Sequence, residues 1–270
     1  MVFDDEGSYS IGVVMLEPGN PLTLWVGTGE NNSQRSVGYG DGVYKSMDGG
    51  KTWKNMGLKD SGHISMIRIH PADSKTVWVA AQGPLWNSGG DRGLYKTTDG
   101  GKTWRKIEGG LPSGDLGRIG LAAAPSAPNI IYAIVEANDK DKGVYRSTDF
   151  GESWDKRSDH MTQSPQYYNE LYVDPNNPER VYSVDTFTHV SEDGGASWNR
   201  ISFKNRHVDD HALASLDHLD RLVGRDRVST RVTGCLASIT GSDSEDGDER
   251  QQEQDLADFH AHVKEQQSSR

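Results

Sequence analysis

Ser46-Met47-Asp48-Gly49-Gly50-Lys51-Thr52-Trp53 returns as Thr97-Thr98-Asp99-Gly100-Gly101-Lys102-Thr103-Trp104, as Ser147-Thr148-Asp149-Phe150-Gly151-Glu152-Ser153-Trp154 and as Ser191-Glu192-Asp193-Gly194-Gly195-Ala196-Ser197-Trp198. The four tryptophans are spaced by 51, 50 and 44 residues, a period that means a repeat architecture. Turn chemistry explains each position of the phrase. Glycine serves where φ is positive, Asp accepts from exposed backbone N–H groups, Ser or Thr two residues earlier adds a local bond, and Trp brings a large apolar area to the next strand. Calcium binding is a poor alternative, because one carboxylate per turn is far from the six to eight oxygens that calcium takes.

A short alternating strand precedes each phrase: Gly42-Val-Tyr44-Lys, Gly93-Leu-Tyr95-Lys, Gly143-Val-Tyr145-Arg and Thr188-His-Val190. Upstream lies a β-rich run around Trp25, Trp78, Tyr132 or Tyr182, then a Pro-containing turn and a first strand such as Ile64 to Ile69 or Glu170 to Val173. Four strands per unit joined as a meander make a propeller blade. The expected class is therefore all-β, a β-propeller of four-stranded blades with about four blades present, in an incomplete ring. Val2 to Gly12 holds the place of an earlier blade's last strand, and His207 to Leu213 the start of a fifth first strand.

The phrase is the Asp-box, Ser/Thr-x-Asp-x-Gly-x-x-Trp, and over residues 2 to about 213 the chain resembles the sortilin-like and xyloglucanase-like propellers. Gly27-Thr-Gly-Glu30-Asn-Asn-Ser-Gln-Arg35-Ser and Ala80-Ala-Gln-Gly-Pro-Leu-Trp86 are similar to phrases in bacterial proteins labelled glycosyl hydrolases. Photosystem assembly factors and sialidases share the box more distantly. The resemblance implies export to a periplasm or out of the cell, although the N-terminus has neither the basic start nor the apolar segment of a signal peptide.

Composition divides the chain near residue 213. All seven Trp and ten Tyr precede residue 199, whereas residues 241–270 carry nine Asp and Glu against three Lys and Arg. Residues 1–213 read as blades, and residues 214–270 as an acidic tail, disordered or displaced by a frame change. The net charge of -11, without a basic stripe, argues against nucleic acid and anionic membrane as partners. No run reaches a membrane span. A single cysteine, Cys235, allows no disulfide framework within the chain.

Loops that lengthen on a rigid scaffold are where binding usually resides, and the second-to-third strand connections are longest in blades 1 and 2. This nominates Glu30, Asn31, Asn32, Arg35, Gln82, Trp86 and Asn87, types that suit sugar or peptide recognition. First-strand starts on the same face add His63, Arg118, Tyr167, Tyr168, His207 and His211. Metal binding by His207, Asp209, Asp210 and His211 is disfavoured, since ligands so close on one strand rarely converge; no metal and no cofactor is expected. The expected function is a binding module for a glycan or peptide. The alternative is a glycoside hydrolase of the xyloglucanase-like type, with Glu30 as acid and Asp209 or Asp210 as base; a further one is a protein-interaction scaffold. Open blade edges also predict self-association.

Overall fold

The computed structural model describes residues 3–8, 10–32, 37–201 and 213. Among the described residues, sixteen strands form four antiparallel sheets of four, each in sequential order. Blade 1 holds β1 (Ile11–Glu17), β2 (Asn20–Thr28), β3 (Val43–Ser46) and β4 (Lys54–Asn55). Blade 2 holds β5 (Ile64–His70), β6 (Asp73–Ala81), β7 (Gly93–Thr97) and β8 (Arg105–Lys106). Blade 3 holds β9 (Ile119–Ala123), β10 (Ile131–Val135), β11 (Gly143–Ser147) and β12 (Asp155–Ser158). Blade 4 holds β13 (Glu170–Val173), β14 (Val181–Val184), β15 (His189–Ser191) and β16 (Asn199–Arg200). The described residues include no α-helix, only a 3-10 turn at Lys59–Ser61, and no helix among them is long and apolar enough to cross a membrane.

Each repeated phrase closes the hairpin between a blade's third and fourth strands by one bonding scheme. Asp48 Oδ1 accepts from the amides of Lys51 (3.0 Å) and Thr52 (2.9 Å), and Oδ2 accepts from the Thr52 hydroxyl (2.6 Å). The Ser46 hydroxyl donates to Asp48 Oδ1 and accepts from the Gly50 amide, each at 2.8 Å. Asp99, Asp149 and Asp193 repeat the scheme. In the third copy Phe150 stands where the others have glycine and takes φ 60°, a conformation that costs a side-chain-bearing residue. Its carbonyl is held by Trp78 Nε1 (3.2 Å) and Lys96 Nζ (2.8 Å) from blade 2.

Strand register gives every blade two dissimilar faces. Met15 pairs with Trp25 and faces blade 2, whereas Val14 pairs with Val26 and Leu16 with Leu24 on the other side. Blade 2 offers its corresponding second face, Ile67, Ile69, Val77 and Val79, to Trp25. The pattern recurs with Trp78 against Leu121 and Ile131 of blade 3, and Tyr132 against Leu171 and Val181 of blade 4. Trp25, Trp78 and Tyr132 are fully buried. Burial of 150–250 Å² per ring at ~25 cal/mol/Å² corresponds to about 4–6 kcal/mol each as an upper bound. First strands pack in the order β1, β5, β9, β13; no comparable packing joins β13 to β1 among the described residues. Residues 3–8 run as turns and bends, with Phe3 edge-on to Tyr44 and Trp53 at 5.0 and 5.2 Å. The expected tail lies outside the described residues, as do His207, Asp209, Asp210 and His211.

The box carboxylates make stability acid-sensitive. The Thr52 hydroxyl and amide hold Asp48 down to about 2, and Ser197 does the same for Asp193. Asp149 also reaches about 2, because hydrogen bonds from Ser153 and Ser147 outweigh the upward effect of burial. A carboxylate depressed by folding stabilises fully above its unfolded value near 4 and loses that contribution as pH falls through its folded value. We expect the melting temperature to decline between about pH 4 and pH 2, and Asp48→Asn to lower it at neutral pH while flattening that decline. Parallel thermal melts of the parent and variant across this range check both outcomes.

Candidate functional site

The loops opposite the boxes converge on two polar arrangements. The first is centred on the Asn31 carbonyl, which accepts from Gln82 Nε2 and from Arg118 Nη1, each at 3.2 Å. Arg118 Nη1 also donates to Asn32 Oδ1 (2.6 Å) and to the Tyr167 carbonyl (2.7 Å), while Nη2 meets Glu170 Oε1 at 2.9 Å. This guanidinium joins the blade 1 loop to the start of β13 from a position beside β9. Burial works against its charge, and Glu170 and Glu136 oppose that effect. Asn31 Nδ2 donates to the Gly12 carbonyl at 2.7 Å, and His63 Nδ1 lies 2.8 Å from the Glu30 carbonyl. His63 is buried against Tyr39, which lowers its basicity. Glu30 Oε2 accepts from the Gly38 amide at 3.2 Å.

Six of the expected residues, Glu30, Asn31, Asn32, His63, Gln82 and Arg118, thus share one network. Tyr168 is buried with its ring edge-on to Tyr167 at 5.0 Å. Arg35 lies outside the described residues.

The second arrangement is an open cavity of about 530 Å³ between the loops of blades 2 and 3, with Trp86, Asn87, Arg92, Asp115, Glu136 and Asn138 in its wall. Trp86 is 70% exposed. Its loop is fixed by Arg92, whose Nη2 donates to the carbonyls of Pro84 (2.6 Å) and Asn87 (3.0 Å) and whose Nη1 donates to that of Leu116. The Ser88 hydroxyl donates to Asp115 Oδ2 at 2.6 Å, holding this carboxylate below its usual range. Glu136 Oε2 accepts from the Arg118 amide at 2.9 Å, so this side chain links the cavity to the first network.

Trp86 and Asn87 were legible in the sequence as loop residues, but Arg92, Asp115, Glu136 and Asn138 were not. Asp115 belongs to the approach to β9 and Glu136 to the end of β10, and no repeated phrase marks either. Among the described residues no cluster of three or more His, Cys, Asp or Glu side chains could hold a metal.

Residues 41–169 match the family described as Sortilin-Vps10, sortilin and neurotensin receptor 3. A vacuolar protein sorting/targeting protein 10 from Fusarium vanettenii is 33% identical over 72 residues, 26% of this chain and 4% of that protein. A probable oligoxyloglucan-reducing end-specific xyloglucanase from Neosartorya fischeri is 34% identical over 99 residues, 35% of this chain and 10% of that protein. The chain therefore spans a tenth or less of the curated relatives it matches. The crystal structure of an ancestral GH74 enzyme superposes with a TM-score of 0.55 at 16% identity, covering 75% of this chain and 27% of that one, a likeness of fold. Four boxes in register and blades in sequential order make the chain an Asp-box β-propeller, and these matches show it to be similar to sortilin-like and xyloglucanase-like propellers.

Proposed function

We propose that the chain is a binding module whose cavity between blades 2 and 3 takes a glycan, at an extracellular or periplasmic location. The observation that carries this reading is Trp86, a large ring exposed at the rim of a cavity whose wall also holds two carboxylates, Asp115 and Glu136, and two amides, Asn87 and Asn138. A sugar ring offers an apolar face for such a platform and hydroxyls for Asn87, Asn138, Asp115 and Glu136. Arg92 and Ser88 hold the loop that presents it, so binding need not order that loop. Similarity to a xyloglucanase supports β-glucan and xyloglucan oligosaccharides as the first ligands to test.

Hydrolysis is the second reading, favoured by two carboxylates in one cavity. Asp115, held ionised by Ser88, suits a base or nucleophile rather than a proton donor. Glu30 is occupied by the Gly38 amide, which favours a loop-holding role. A peptide ligand, as similarity to sortilin suggests, is the remaining reading.

Calorimetric titration with these oligosaccharides should show binding that Trp86→Ala weakens by at least roughly tenfold, about 1.4 kcal/mol. Turnover lost in Glu136→Gln with binding retained would move the assignment to hydrolysis. Absence of glycan binding, or binding indifferent to Trp86, contradicts the proposal. Arg118 acts separately, as a holding residue at the axis. Arg118→Ala leaves the Asn31 and Tyr167 carbonyls without their buried donor and should cost about 1–3 kcal/mol in denaturant unfolding.

A further inference from the structure

We infer that the cavity between blades 2 and 3 prefers an aminated glycan, a chain of sugars carrying protonated amines such as β-linked glucosamine, over a neutral one; this rests on the glycan reading of that cavity. What its wall presents to a ligand is mostly negative charge and hydrogen-bond acceptors. Among the described residues that line it, two are carboxylates, Asp115 and Glu136, and one is a cation, Arg92. The Ser88 hydroxyl holds Asp115 below its usual range and so ionised, and the Asp115 side chain is 58% exposed.

The donors of this wall are largely engaged. Arg92 commits Nη1 and Nη2 to the carbonyls of Leu116, Pro84 and Asn87, and its Nε lies 3.8 Å from Asp115 Oδ1, beyond hydrogen-bonding distance. Its guanidinium is buried, so a ligand meets the carboxylates rather than the cation. The Ser88 hydroxyl donates to Asp115 Oδ2 at 2.6 Å, and Asn138 Nδ2 donates to Asp141 Oδ2 at 2.7 Å. A carboxylate has about four acceptor sites, and on Glu136 the Arg118 amide takes one of them. A Cβ at position 117 would collide with Glu136 Oε2, so Gly117 leaves room for this carboxylate in the wall.

An ammonium matches such a wall better than a hydroxyl does. It brings three donors and no acceptor, and both carboxylates and the face of an exposed indole attract its charge. A hydroxyl brings one donor together with an acceptor that the wall leaves to water. In a β-linked glucosamine the substituents lie around the ring edge, so the apolar ring face stacks on Trp86 while the amine meets the carboxylates. The chain already holds one ammonium in this way. Lys96 Nζ meets Glu152 Oε1 at 2.6 Å and lies 5.4 Å from the centre of the Trp78 ring.

Calorimetric titration of the full chain compares glucosamine oligomers with cello-oligosaccharides and N-acetylglucosamine oligomers of equal length, at a pH that keeps the amine protonated. The aminated oligomer should bind at least roughly tenfold more tightly than either neutral one. Raising the salt from about 50 to 500 mM should weaken its binding several-fold and leave the neutral oligomers nearly unchanged. Asp115→Asn and Glu136→Gln keep an acceptor oxygen for Ser88 and for the Arg118 amide, so each should fold as the parent does and bring the ratio of affinities toward one. Equal affinities for aminated and neutral oligomers in the parent, or a ratio that neither variant lowers, overturns the inference and leaves the glycan reading standing. Absence of binding by all three overturns that reading as well. A short lysine-rich peptide that binds as tightly as the aminated oligomer also overturns the inference, because the cavity would then recognise an ammonium without its sugar.

Discussion

A carboxylate that accepts from two backbone amides and two hydroxyls at the tip of each outer hairpin is the constraint from which the blades follow. It aligns the third and fourth strands and leaves a glycine with positive φ beside it, at 90° for Gly101. With no side chain there, the preceding blade's aromatic ring approaches closely: a Cβ on Gly101 would lie 2.8 Å from Trp25 Cη2. On Gly151 it would lie 2.8 Å from Trp78 Nε1. The turn motif and the packing between blades are therefore one device. In blades 2 and 3 the box closes a hairpin and also forms the seat for the preceding blade's largest buried ring, whereas in blade 4 a Cβ on Gly195 would meet Val144 Cγ1 at 2.9 Å.

The opposite ends of the blades do different work. There the connections lengthen, and two buried guanidiniums replace the boxes as organising groups. Arg118 gathers the loop at Asn31 and Asn32, the Tyr167 carbonyl and Glu170 near the axis. Arg92 fixes the loop that carries Trp86. Each guanidinium spends its donors on backbone carbonyls and neighbouring side chains, which gives irregular loops a defined shape without secondary structure. Rigid boxes on one face and arginine-anchored loops on the other let loop residues vary without disturbing the repeat.

The fold was legible because its signals are local and periodic. Ser46, Asp48, Gly50 and Trp53 specify a turn by short-range bonding, and recurrence at a fixed interval makes that specification a blade. The two-faced character of each strand could also be read from alternation, as in Ile67, Ile69, Val77 and Val79 against Trp78. The candidate site was legible only in part. Loop length pointed to Trp86 and Asn87, and position on a first strand pointed to Arg118. Glu136 and Asp115 reach the cavity through the spatial juxtaposition of blades 2 and 3, and neither has a sequence context of its own. Glu30 and His63 showed the reverse difficulty. Their types suggested chemistry, but backbone contacts between Glu30 and Gly38, and between His63 and the Glu30 carbonyl, engage them in holding the loop.

The central claim, that the box glycine is the seat of the preceding blade's ring, is tested most directly by a double-mutant cycle at Gly101 and Trp25. Gly101→Ala, Trp25→Ala and the pair would be compared by denaturant unfolding, with Gly100→Ala as the reference for positive-φ strain, since its added carbon meets nothing nearer than Lys45 Nζ at 3.7 Å. The account predicts that Gly101→Ala costs more than Gly100→Ala, and that much of the excess disappears once Trp25 is alanine, giving a coupling of about 0.5–3 kcal/mol. Equal costs at the two glycines, with additive effects at Gly101 and Trp25, would contradict it.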